Sequence, residues 1–284
     1  SRIVMGINPN DFSWRLEPGE SFMTPEAVIV YSNAGIGEMS RTYHKLYNNN
    51  LVCGKWKTAK RPLLINSWEA AYFDFDTEKL VSFAERAKEL GMDMLVMDDG
   101  WFGERNDDRS SLGDWFVNES KLNGGLGELI DRVNALGLKF GIWYEPEMIS
   151  PDSELFRAHP DWCVHVPNRK PCIGRHQYVI DMSRKDVRDN IFDQMYSVLS
   201  KYKIDYIKWD FNRNISDAGS ALLPRTGRAS SSTASFSAHT SSWAGYATRS
   251  PICSLKTARA AAGASTPLCS HSLSRSGRAT TPIQ

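Results

Sequence analysis

Hydrophobic positions along this chain change their rhythm at Pro62. Before it, the short apolar-rich runs Arg2–Ile7, Phe12–Leu16 and Ala27–Tyr31 are broken by Asn-Pro, Pro-Gly and Thr-Pro punctuation, which predicts β-strand and loop. Ile36 to Tyr47 is patterned as a short helix, and Asn48–Asn50 with Lys55–Pro62 as a linker. After Pro62, short apolar runs alternate with amphipathic stretches. Leu63–Trp68 predicts a strand, and Thr77–Leu90 a helix with Leu80, Phe83, Ala84, Ala87 and Leu90 at helical spacing and Gly91 as its stop. Asp93–Met97 predicts the next strand, Leu126–Leu136 a helix stopped by Gly137, and Leu138–Trp143 the third strand. After a long excursion, Arg184–Tyr202 is patterned as a helix and Ile204–Trp209 as a fourth strand.

Strand and helix in alternation predict parallel βαβ units and an α/β fold. Four such units make about half of an eight-stranded TIM-type barrel. A doubly wound open sheet shows the same alternation, but no Gly-rich phosphate turn follows the first strand here. All four predicted strands also end on aromatic or acidic residues, as the mouth of a barrel enzyme requires. We therefore expect a (β/α)8 barrel of which the first half is recognisable.

Composition sharpens this picture at one place. The 34 Lys and Arg nearly balance the 33 Asp and Glu, yet the balance sums two unlike parts. The last acid is Asp217; the 67 residues from Ala218 to Gln284 hold seven bases and no acid, so the body is −6 and the tail +7. Ala, Ser and Thr make up 36 of those 67 residues, and the strand–helix rhythm is gone. With 41% hydrophobic residues the body suits a globular core and not a disordered polymer. Two Trp/Tyr among seven tail bases argue against nucleic acid as a partner. Five widely spaced cysteines without a CxxC pair predict free thiols in a reducing cytoplasm. No apolar run approaches the length of a membrane span and no signal-peptide pattern opens the chain, so no membrane partner is expected. The first residue is not Met and enters mid-pattern, as in a piece cut from something longer.

The predicted strand ends gather Trp68, Asp98 with Asp99, Trp143 with Glu145 and Glu147, and Lys208 with Asp210. Aromatics beside carboxylates suit a sugar, whose C–H face packs on indole while polar side chains bind its hydroxyls. An oxocarbenium-like transition state needs an anionic carboxylate under the anomeric carbon. Asp210 is the candidate, with Lys208 on the same strand face to keep it ionised; a salt-bridged strand terminus is the alternative. Asp98-Asp99-Gly100 suits a clamp on vicinal hydroxyls, with helix capping and a metal as alternatives; no HxH or HExxH pattern supports the metal. Glu145-Pro146-Glu147 supplies either an acid or loop salt bridges. Trp115, Trp162 and the aromatics of Arg184–Tyr202 are expected in the core, and His176 as a packed loop residue.

These segments resemble the bacterial alpha-galactosidases of glycoside hydrolase family 36. The strings that carry the resemblance are NSWEA (66–70), MDDGWFG (97–103), LGDWFVNESKLNGGLGELID (112–131), GIWYEPEMISPDSELFRAHPDW (141–162), GRHQYVIDMSR (174–184) and DYIKWDFNR (205–213). FSWRLEPGESFMTPEAVIVYS (12–32) resembles the exit from that family's N-terminal β-sandwich. The resemblance implies residues 1–60 as the end of that sandwich, 61–217 as the first half of the catalytic barrel and 218–284 as an aberrant tail. It further implies a retaining mechanism with Asp210 as nucleophile. The residues matching the family's galactose contacts are Trp68, Asp98, Asp99 (toward O4 and O6), Trp143, Arg175, Lys208 and Asn212. No cofactor is implied. Implied partners are alpha-galactosides of the raffinose or melibiose type, with homo-oligomers for full-length relatives. The family's acid/base, an Asp in a W-x-S-D-x-T-D segment further on, has no counterpart, and strands five to eight are expected to be missing. The tail is expected to be poorly ordered. It has three readings: a frameshifted translation, a natural disordered basic tail, or a divergent domain.

Overall fold

A computed structural model describes residues 2–7, 16, 18–22, 27–52, 57–166, 168–213 and 220, and the backbone of 256–260. Five strands form one all-parallel sheet: β1 (Leu64–Asn66), β2 (Met94–Met97), β3 (Lys139–Tyr144), β6 (Tyr206–Asp210) and β7 (Lys256–Ala260). Their spatial order follows the chain without reversal. A doubly wound sheet would reverse direction at a switch point; a barrel does not. The sheet is an arc of a (β/α)8 barrel. The excursion between β3 and β6 carries a small antiparallel pair, β4 (Met148–Ile149) with β5 (Tyr178–Val179).

The crossover helices form where the apolar spacing predicts them. Helix α3 (Thr77–Glu89) is opened by Asp76, whose Oδ1 accepts the Lys79 N–H at 2.8 Å, and buries Leu80, Val81, Ala84 and Ala87. Helix α4 (Gly125–Ala135) buries Leu126, Leu129, Ile130 and Val133, and packs against β3 and α3. Helix α6 (Lys185–Lys201) buries Val187, Ile191, Met195 and Val198. Gly91 and Gly137, at φ +74° and +79°, end α3 and α4 in the left-handed conformation that the stop requires. The short helices are α2 (Trp68–Ala71), directly after β1, and α5 (Glu154–Ala158) in the excursion.

Gly141 in the middle of β3 has a packing reason. It is level with Val96 on one side and Tyr206 on the other, and a Cβ there would stand 2.9 Å from Tyr206 Cδ1 and 3.0 Å from Val96 Cγ2. The neighbouring side chains fill the space a larger residue would occupy.

Several expectations change. Residues 2–7 and 27–31 form no strand, because a strand needs a partner and none pairs with them among the described residues; Ile3, Val4, Ile29 and Tyr31 are exposed. Residues 12–15 lie outside the described set. The predicted helix is present as α1 (Gly35–Leu46), and it runs into a π-helical turn, Tyr47–Leu51, where a linker was expected. The tail contributes a strand where strands five to eight were expected to be missing: β7 pairs with β6 from Tyr206↔Lys256 to Asp210↔Ala260. Backbone pairing at a sheet edge asks for no particular side chains, which is why hydropathy gave no sign of it. The rest of the tail lies outside the described residues. Trp115 and Trp162 are buried as expected, but Phe192 and Tyr196 of α6 stack on each other at 5.6 Å with Tyr196 exposed, and His176 is exposed instead of packed.

Candidate active site

The sheet register fixes which strand-end side chains meet. Met97 is level with Ile142, so Asp98, one residue on, is level with Trp143, which is itself paired in register with Lys208. Three residues from three successive strands therefore stand in one row. Lys208 uses this row to reach across β3: its Nζ lies 2.8 Å from Asp98 Oδ2. Lys208 thus makes its ion pair with Asp98 and not, as expected, with Asp210 two residues further along its own strand. Asn66 at the end of β1 donates from Nδ2 to the same oxygen at 2.5 Å, and its Oδ1 accepts the Trp68 N–H at 2.8 Å. Asp98 joins the ends of β1, β2 and β6.

Asp99 is held from another direction. Arg105 donates from Nε and Nη2 to its two carboxylate oxygens at 2.9 and 2.8 Å, a bidentate pair of which both members are buried. Burial raises the Asp99 carboxyl, and the guanidinium opposes that rise. Nη1 of Arg105 binds Ser110 O at 2.8 Å, closing the loop after β2. Lys121 completes the clamp, its Nζ donating to the carbonyls of Phe73, Gly100 and Arg105 at 2.9–3.1 Å. The Asp98-Asp99 pair is therefore split: one carboxylate is tied to a lysine and an asparagine, the other to an arginine. Neither caps a helix, and no group of three or more metal-ligating side chains occurs among the described residues.

Asp210 ends β6, buried, with three donors on its carboxylate. Trp143 Nε1 and Asn212 Nδ2 bind Oδ2 at 3.0 and 2.8 Å, and the Phe211 N–H binds Oδ1 at 3.1 Å. The Trp143 ring lies within an aromatic group of Trp101, Phe102 and Trp115, and Trp101 Nε1 donates to the Trp143 carbonyl at 2.8 Å. The donor that meets Asp210 is thus part of the packed interior. Trp68, half-buried at the start of α2, stacks edge-on against Tyr72 and Phe73, 5.1 Å from each.

The two glutamates after β3 are buried and accept hydrogen bonds. Glu145 Oε1 accepts the Asn212 N–H at 2.6 Å and Gln177 Nε2 at 3.2 Å; Glu147 Oε2 accepts Trp209 Nε1 at 2.8 Å. Burial, reinforced by the negative charge of Asp210, pushes the Glu145 carboxyl up to about 7. Arg175, exposed and at φ +52°, donates to the Asn212 carbonyl at 3.3 Å.

The structure thus joins Trp143, Asp210, Asn212 and Arg175 through direct contacts and pairs Asp98 with Lys208, and strand register sets the two groups side by side at the strand ends. Trp68 joins through Asn66, and Asp99 is the sequence neighbour of Asp98. Asn66, Arg105, Lys121 and Gln177 were not foreseen. Arg105, Lys121 and Gln177 lie in loops, where no periodicity marks a partner, and Asn66 ends β1, where strand register decides what its side chain meets.

Known proteins with this arrangement supply the family. The Melibiase family model matches residues 21–241. The chain belongs to the melibiase family. Its match to the family model extends past Asp217, where the recognisable motifs stop. Among melibiase relatives, alpha-galactosidase AgaA of Geobacillus stearothermophilus is 57% identical over 224 residues, which are 79% of this chain and 31% of that protein. Alpha-galactosidase Mel36A of Lactobacillus acidophilus is 53% identical over 219 residues, 77% of this chain and 30% of the relative. The crystal structure of the family 36 enzyme AgaA superposes with a TM-score of 0.85 at 50% identity, over 89% of this chain and 35% of that one. The chain therefore spans about a third of the length of the curated relatives it matches.

Proposed function

We propose that this chain carries the galactose-binding and nucleophile half of a retaining alpha-galactosidase, acting on terminal non-reducing alpha-D-galactosyl residues. The observation that carries the reading is the buried Asp210 carboxylate, fixed in plane by Trp143, Asn212 and the Phe211 N–H at the end of a barrel strand. A carboxylate so fixed can attack an anomeric carbon with little reorganisation and form a glycosyl-enzyme. Asp98, bound to Lys208, is a polarised acceptor for sugar hydroxyls; Asp99, Arg175 and Asn212 add polar contacts, and Trp68 and Trp143 offer indole surface. A site built to pair with an axial hydroxyl rejects the epimer lacking it, since the buried acceptor would be left unpaired. AgaA variants have been solved with raffinose and with stachyose, which supports oligosaccharides of that class as substrates here.

Retention needs a second carboxyl about 5 Å from the nucleophile to protonate the leaving group. The 67 residues from Ala218 to Gln284 hold no Asp or Glu. This favours a second reading, a galactoside-binding remnant without full turnover. Free thiols at Cys163 and Cys172 support a reducing, cytoplasmic setting, and homo-oligomers belong to the same proposal for full-length relatives. Turnover of an activated aryl alpha-galactoside tests it, with the aryl alpha-glucoside as the control. A good leaving group needs little protonation, so release of the phenol from the galactoside alone supports the enzyme reading. Saturable binding of galactoside without release supports the remnant, and equal handling of both epimers overturns the galactoside assignment.

A further inference from the structure

Glu145 is a buried acid for which the proposed chemistry has no task. It is 2% exposed, and its Oε1 accepts the Asn212 backbone N–H at 2.6 Å and Gln177 Nε2 at 3.2 Å. Asn212 is held at three points: Glu145 takes its N–H, Arg175 binds its carbonyl at 3.3 Å, and its side-chain amide binds Asp210 Oδ2 at 2.8 Å. Asn212 lies two residues beyond the end of β6, where the strand ladder no longer fixes the backbone. Without these bonds the amide that meets Asp210 would swing with its loop.

We propose that Glu145 is a positioning residue for the Asp210 carboxylate: by fixing the Asn212 backbone it aims Asn212 Nδ2 at Asp210 Oδ2. The proposal rests on the reading of Asp210 as nucleophile. The groups facing Glu145 are Asp210 and Asn212 from the end of β6, Gln177 from the loop before β5, and Asp99 from the end of β2, while Arg175 meets the Asn212 carbonyl. Burial pushes its carboxyl up to about 7; the charges of Asp210 and Asp99 add to the rise, and the bonds from Asn212 oppose it. Above that pH the ionised Glu145 is the stronger acceptor, and its grip on the Asn212 N–H tightens.

The test compares Glu145→Gln and Glu145→Ala with the unaltered chain in two measurements. The first is the rate at which a 2-fluoro galactosyl donor labels Asp210. We expect Glu145→Ala to lower it roughly tenfold through the lost hydrogen bond. Glu145→Gln, which keeps an acceptor oxygen, should stay close to the unaltered rate but lose the rise through pH 7. The second, independent of any substrate, is the Asn212 amide resonance of the 15N-labelled chain against pH. Its shift should show a midpoint near 7 in the unaltered chain and none in Glu145→Gln. If the unaltered chain takes no label, the nucleophile reading fails, and the resonances still decide whether Glu145 governs Asn212. An Asn212 amide indifferent to pH, or a Glu145→Ala chain labelling at the unaltered rate, overturns the proposal.

Discussion

Replacing Arg105 by Met removes the cation from a buried carboxylate while keeping side-chain volume. The pair is bidentate, 2.8 and 2.9 Å, with both partners buried, and Asp99 gains no other cation within hydrogen-bond reach among the described residues. Breaking a buried pair from one side costs about 3–5 kcal/mol, because the remaining charge stays desolvated. For a chain with a core of this size that is a fall in Tm of about 6–20 °C. The pH dependence has a definite sign. Burial already raises the Asp99 carboxyl against the pull of Arg105, so losing the guanidinium raises it further. A carboxyl whose folded pKa exceeds its unfolded one binds more protons when folded, so stability falls as pH rises between the two values. The deficit of Arg105→Met should therefore be smallest near pH 4 and grow toward neutral pH. Urea unfolding at both pH values measures it, and Asp99→Asn added to Arg105→Met should recover much of the loss at neutral pH. A deficit equal at the two pH values, with no recovery in the double variant, would refute this electrostatic account.

Two further outcomes follow from single contacts. Trp143→Phe deletes the Nε1 donor on Asp210 but leaves the backbone carbonyl that Trp101 uses; labelling of Asp210 should slow roughly 10- to 100-fold, the worth of a hydrogen bond to a charged group, and Tm should fall by several degrees because the smaller ring leaves space in the packed interior. Gly141→Ala forces a Cβ to within about 3 Å of Tyr206 and Val96; overpacking of that kind costs about 1–3 kcal/mol, read by urea unfolding, and a variant as stable as the parent would show that the neighbouring side chains yield freely.

The barrel arc was legible because its central strands are short continuous apolar runs while α3, α4 and α6 carry apolar residues at helical spacing. Its glycine stops were legible for the same reason: Gly91 and Gly137 sit where the apolar spacing ends. What escaped were features without a period. The π-helical turn at Tyr47–Leu51 looks polar and linker-like, and β7 is defined by backbone pairing alone. In the site, Asp98, Lys208 and Asp210 were named from their strand ends, but their pairing was not. Pairing depends on register between strands that are distant in sequence, and it put Lys208 with Asp98 across an intervening strand. Arg105 and Lys121 lie in an irregular loop, where only the folded chain shows that one grips Asp99 and the other three carbonyls.

The central claim is that Asp210 is a galactosyl-accepting nucleophile held ready by this half-barrel. Incubating the chain with a 2-fluoro galactosyl donor, followed by intact-mass measurement and peptide mapping, tests it most directly. The account predicts one added galactosyl group per chain, located on Asp210, absent in Asp210→Asn and absent with the gluco epimer. A folded chain that takes no label, or that takes it elsewhere than Asp210, would contradict it.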